Sequence, residues 1–362
     1  MKIIYREAGA SQSNERNRAL PVLRFVPHRL RCHCNGREQK YRSIRTHEPA
    51  PLAAYNRRSV EHFPALAVFL FGLTFGSFLN VCIYRMPRGL SVVSPRSACP
   101  GCSKAIASYD NIPVLSWLIL GGRCRGCRTP ISPRYAAVEL LTGLLWLGCY
   151  AEFGLSFALV KWAAFSFLLL GLVFTDAETM LLPDLLTLPG LALGLVFAFF
   201  VPVNDLISQL APGMVQIPLS SDISTRLLSF GDATLGALAG AGFIYGVGEI
   251  YYRARGVEGM GFGDVKLMGM VGAFLGLKLT IFTIFTASIA GSVFGLSTML
   301  VVWMKRTRRY KGHLADARGK AWQSARLALR HYQMPFGVFL GGMAMVALFF
   351  GNQFLHWYWK LL

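Results

Sequence analysis

Negative charge is what this sequence has least of. It holds 18 Asp and Glu against 37 Lys and Arg, and only 15% of its residues are charged. Soluble domains carry about 25%, so an ordinary soluble globule is excluded. No apolar stretch follows the first charges until about residue 63, so the N-terminus does not read as a secretory signal peptide. A glycine-rich phosphate or dinucleotide signature is also missing, so spacing locates no nucleotide-type cofactor site. A basic chain can bind nucleic acid. Here the apolar runs are too long and too many for that, and no nucleic acid is expected as a partner.

What is present is apolar and basic, with 54% hydrophobic residues and a net charge of +19. That combination points to a polytopic membrane protein whose loops carry the charge. A spanning helix needs roughly 20 apolar residues. Candidate runs fall at about 64–84, 136–151, 157–175, 183–201, 232–250, 265–281, 283–303 and 335–356. The expected fold is an all-α polytopic membrane protein of about eight transmembrane helices, with a tight turn between the sixth and seventh. Residues 1–60 differ, with thirteen Lys and Arg and no long apolar run. They read as a disordered basic head or a start assigned too far upstream. The remainder divides into a first span at 61–84, a loop at 85–135 and a membrane core at 136–362 with a basic loop at 304–334.

Sidedness follows from counting. Loops 85–135, 176–182, 251–264 and 304–334, with Lys266, hold 20 Lys and Arg, and the opposite ends hold four. The positive-inside rule places the first set in the cytoplasm.

The first of these loops contains CPGC (Cys99, Cys102) and, 21 residues later, CRGC (Cys124, Cys127). Paired CxxC turns at this spacing fit a four-cysteine zinc site, structural because no coordination position stays open. Two disulfides or a redox pair are the alternatives, and a cytoplasmic location disfavours disulfides. Cys82 and Cys149 lie in apolar spans and read as packing residues.

Asp176 ends the third span and Asp264 opens the sixth, so both fall at the cytoplasmic face. Two carboxylates at one depth suit aspartyl proteolysis. They share a proton, one activates water and the other donates to the peptide carbonyl. Gly261 and Gly263 would leave room for a substrate backbone beside Asp264. A transporter using the same carboxylates as ion sites fits equally well at this point. Asp184, after Pro183, reads as a helix cap. Lys266 reads as an interface lysine or a neighbour of the dyad, and Glu178 as solvated. Asn80 is expected to make an interhelical contact, and Arg85 to anchor at the interface.

Five motifs occur in order: GSFLNVCIYRMP (76–87), the tetracysteine stretch ending GGRCRGCRTPISPRYAAVELLTG (121–143), FTDAETMLLPDLLTLPG (174–190), EGMGFGDVKLMGMVGAFLG (258–276) and MPFGVFL (334–340). In these the chain resembles the type IV prepilin peptidases, which are leader peptidase/N-methyltransferases of the GxGD intramembrane aspartyl protease type. The resemblance implies a helical bundle in the bacterial inner membrane with its active site facing the cytoplasm. It implies Asp176 and Asp264 as catalytic residues and prepilins or pseudopilins as substrates, cut after a short basic leader. It also implies N-methylation of the new terminus from S-adenosylmethionine, which the cysteine loop favours over a peptidase-only enzyme. Glu139 is a candidate for that second chemistry, with an Arg134 or interface partner as the alternative. Val338 stands where the family often has Pro. The loop at 305–333 is longer than the resemblance leads one to expect and reads as an amphipathic, lipid-facing helix.

Overall fold

The computed structural model describes residues 52–202, 221–257, 259–310, 317–329 and 334–361. The chain divides into Met1–Ala50 and Pro51–Leu362, and the described residues belong to the second unit. The basic head up to residue 51 lies outside the described residues.

The described residues are nearly all helical and form no strand. The helices are α1 (Leu52–Arg85), the short α2 (Leu115–Ile119), α3 (Pro133–Phe153), α4 (Phe157–Thr179), α5 (Asp184–Phe200) and α6 (Ser221–Arg255). After them come α7 (Phe262–Tyr310), α8 (Ala317–Leu329), α9 (Phe336–Val346) and, beyond a π-helical turn at Ala347–Gly351, α10 (Asn352–Leu361). Local chemistry sets several of these boundaries. Ser132 caps α3, accepting from the Arg134 amide, and Pro133 opens it. Ser156 caps α4, which ends at Met180 in the left-handed region, φ 52°.

Among the described residues, six helices are long and apolar enough to cross a membrane, and Asp184–Phe200 is apolar but only 17 residues long. One of the six, α7, is in fact two arms. Gly276 interrupts it at φ 75°, ψ −179°, a conformation glycine reaches without steric cost. The neighbours show that the chain reverses there. Asp264, at the start of the first arm, faces Gly337 in α9. In the second arm Leu279 and Phe282 lie at Gly351, whereas Gly291 lies at Phe336 and Phe339. The start of the first arm and Gly291, partway along the second, therefore both meet the start of α9, and the apex lies toward α10. With the arms counted separately, the described residues hold eight apolar helical segments in the expected order. The reversal falls at Gly276 rather than near residue 282, because hydropathy does not register a glycine torsion.

Small residues let the bundle close. A methyl group on Gly272 would come within 2.2 Å of the Gly236 backbone, so α6 and the first arm of α7 touch main chain to main chain. Gly76 of α1 abuts the Cα of Glu139, and Gly72 that of Gly143. Hydroxyls inside the bundle donate back along their own helices, Thr142 to Val138, Thr175 to Gly171 and Thr280 to Gly276, so they are satisfied where no water reaches. Lys161, fully buried, donates to the Val201 carbonyl just past the end of α5 at 3.4 Å. Many large side chains face outward, including Phe71, Leu144, Leu193, Phe285 and Leu296, as lipid contact requires.

The basic loop at 304–334 differs from its expected form. Within it, α8 does not lie free on lipid. Ala321 and Ala325 are fully buried, Trp322 meets Trp303 edge-on, and Arg306 donates to Ser324.

Gly272→Ala should destabilise the protein by about 1–3 kcal/mol through overpacking. Gly242, with nothing within 4 Å of its virtual methyl, should tolerate alanine. Thermal unfolding of the two variants in detergent checks the difference.

Candidate active site

Asp176 sits four residues before the C-cap of α4, and its carbonyl accepts the Met180 amide that closes the helix at 2.9 Å. Asp264 lies in the first turn of α7, its own amide donating to Gly261 at 3.1 Å. Both residues are buried, 5% and 8% exposed. The third wall is the start of α9. A methyl group built on Gly337 would lie 2.8 Å from Asp176 Oδ2 and 3.2 Å from Asp264 Oδ1. The two carboxylates therefore converge on one point, and only a residue without a side chain fits opposite them. The next amide, that of Val338, donates to Asp176 Oδ2 at 3.0 Å.

Neighbouring charges are committed elsewhere. Lys266 pairs with Asp184 at 2.7 Å, so Asp184 is an ion-pair partner and its side chain caps nothing. Glu178 pairs with Arg134 at the start of α3, so it is not simply solvated and Arg134 is not the partner of Glu139. A carboxylate at a helix C-terminus opposes the macrodipole, and Arg134 offsets that for Glu178. Gly263 packs against Leu182, whose Cβ would lie 3.0 Å from a methyl there. A methyl on Gly261 would meet only the Gly263 amide nitrogen, at 3.9 Å.

The four cysteines come together as a separate cluster. Their sulfurs lie within 4.8 Å of one another, with Cys99 and Cys127 3.6 Å apart. Zinc–sulfur bonds of about 2.3 Å arranged tetrahedrally put sulfurs about 3.8 Å apart. All four are free thiols. The two turns repeat one design. Cys99 donates its amide to Lys104 and accepts from Ser103, while Cys124 donates to Thr129 and accepts from Arg128. The Thr129 hydroxyl and amide hold the Cys127 thiol down to about 6. The Lys104 amide also favours a thiolate at Cys102, but desolvation and the neighbouring sulfurs push that thiol up to about 11. A dication resolves this opposition by accepting all four thiolates at once, so the cluster can hold a metal ion.

The loop is fastened to the bundle. Glu139, buried in α3, accepts the Val114 amide at 2.7 Å. Asn80 of α1 donates to the Tyr135 carbonyl at 2.9 Å. Arg85 donates to the carbonyls of Ser91 and Pro95, so it shapes the loop's entry instead of reaching for lipid. Gly337 and the Val338 amide are the site features that sequence reasoning missed. Their signal was the MPFGVFL motif, which carried no chemistry of its own.

Two family matches cover most of the membrane part. The Bacterial Peptidase A24 N-terminal domain matches residues 70–153, and the Type IV leader peptidase family matches residues 162–296. Relatives bearing the name prepilin leader peptidase/N-methyltransferase agree. One from Myxococcus xanthus is 40% identical over 66% of this chain and 64% of its own length. One from Aeromonas hydrophila is 33% identical over 80% of this chain and 92% of its own. One from Pseudomonas aeruginosa is 31% identical over 81% and 92%. No solved structure matches. The paired carboxylates and the fastened tetracysteine loop fall within matched residues that run in order along the chain, which belongs to the type IV leader peptidase family.

Proposed function

We propose that this membrane protein is an aspartyl endopeptidase that removes the basic leader of prepilins or pseudopilins at the cytoplasmic face of the bacterial inner membrane, and then methylates the new N-terminus. The observation that carries the peptidase reading is the convergence of Asp176 and Asp264 on one point beside Gly337. Two buried carboxylates that close hold one proton between them, so one acts as base and the other as acid. The site lies where a basic leader and an apolar helix would join. Gly261, uncrowded by any side chain, leaves room for the substrate backbone. The family match gives the transporter alternative no support.

The cysteine cluster would hold zinc, in a structural role because four thiolates fill its tetrahedron. S-adenosylmethionine would supply a methyl carbon activated by its sulfonium. Glu139 serves that second activity by holding the loop on α3 through the Val114 amide. Support for methylation comes from the relatives' names and from the presence of the cysteine loop.

Mass spectrometry of a co-expressed prepilin tests the reading. Wild type should release the leader and leave a methylated terminus. Asp176→Asn and Asp264→Asn should each lower cleavage at least about 10⁴-fold. Gly337→Ala, which forces its neighbours apart, should cost about 100-fold in a protein that still folds. An intact prepilin beside wild type, with a known peptidase cutting the same substrate, would sink the proposal.

Elemental analysis of purified protein should find one zinc per chain, lost in Cys99→Ser and Cys127→Ser. The metal should also leave in acid, as protons compete with it for the four thiolates. Protein that binds no metal at neutral pH would refute the zinc assignment.

A further inference from the structure

The two carboxylates are alike in burial but not in partners. Val338 is the third residue of α9, after Phe336 and Gly337. Amides in a first helical turn have no acceptor within their own helix, and they form its positive end. One of these amides is aimed at Asp176 Oδ2, 3.0 Å away. Among the described residues, the Asp264 carboxylate receives no hydrogen bond comparable to it.

We infer that the dyad is asymmetric, with the negative charge on Asp176 as the water-activating base and the shared proton on Asp264 as the acid, and that the Val338 amide is the positioning group that sets this order. The inference rests on the peptidase reading above. Among the described residues, the charges near the dyad are committed elsewhere. Lys266 of α7 is paired with Asp184 of α5, and Glu178 of α4 with Arg134 of α3. Glu139 is occupied by Val114, Arg85 of α1 by backbone carbonyls, and α9 contains no charged residue.

The reaction then balances. Asp176 takes a proton from water as the water oxygen bonds to the peptide carbon. The carbonyl π electrons move to oxygen, which takes the proton of Asp264. On collapse the C–N bond breaks toward nitrogen, which takes the proton from Asp176, and Asp264 recovers its own from the tetrahedral hydroxyl. Water is consumed, an acid and an amine are released, and both carboxyls regain their starting states.

Replacing Val338 by α-hydroxyvaline turns its amide into an ester, which removes the N–H and keeps the side chain. A proline there would instead put its Cδ in the place of the hydrogen, against Asp176 Oδ2. Val338→Ala keeps the N–H and is the comparison. Both are assayed for prepilin cleavage across pH. With the ester the acid limb of the kcat/KM profile should move up by about one pH unit, the scale of one hydrogen bond to a charged group. Activity on that limb should fall about tenfold while KM changes little, and Val338→Ala should show no such shift of the limb. An ester profile that overlays Val338→Ala would overturn the inference and leave the peptidase reading standing. A wild type that cuts no prepilin would remove both.

Discussion

Three helices meet at the dyad, and a single methyl group on Gly337 would already stand 2.8 Å from Asp176 Oδ2. This steric limit governs the rest of the site. The carboxylates converge because α4 ends and α7 begins at the same level. They stay converged because α9 comes up against both with bare backbone. Bringing backbone that close also brings an amide, so the contact that excludes side chains supplies Asp176 with its hydrogen bond. The close main-chain contact of α6 with the first arm of α7 at Gly236 and Gly272 follows the same logic, and it holds the helix that carries Asp264.

The scarcity of acids has a local counterpart. Asp176 and Glu178 share the last turn of α4, where the helix dipole disfavours both. Each is matched from another element, Glu178 by Arg134 and Asp176 by α9. Arg134 follows the second cysteine turn closely. Its helix is capped by Ser132, beside an Ile131 whose carbonyl accepts the Trp117 indole and whose amide donates to Gly122. The metal-type loop and α4, which carries Asp176, are therefore neighbours through packed, hydrogen-bonded chain.

Much of this was legible from residue types. Asp176 and Asp264 stood out because carboxylates are rare in apolar helices, and the cysteines because their spacing has few uses. The order of the apolar segments was equally plain. What stayed hidden acts through backbone or through partners remote in sequence. Gly276 turns a helix by its torsion, which no hydropathy window weighs. Gly337 matters for an atom it lacks, and Val338 for an amide that every residue but proline has. The pairings of Lys266 with Asp184 and Glu178 with Arg134 join helices whose relative rotation cannot be read from spacing. α8 looked like a lipid-facing helix because its charges dominate the pattern, whereas the two alanines that bury it against α7 carry little signal.

The break at Gly276 has a mechanical result. The first arm of α7, Phe262 to Leu275, rises only about 21 Å at 1.5 Å per residue, and a bilayer's hydrocarbon is about 30 Å thick. Its neighbour α5, with 17 residues, is also short, and both begin at the dyad. A lipid-facing element that short would strain the bilayer. The first arm does not face lipid, because Leu267, Met270, Val271, Phe274 and Leu275 are fully buried. It can stop at Gly276 because protein covers its far end, and its length is set by the bundle and not by the thickness of the membrane.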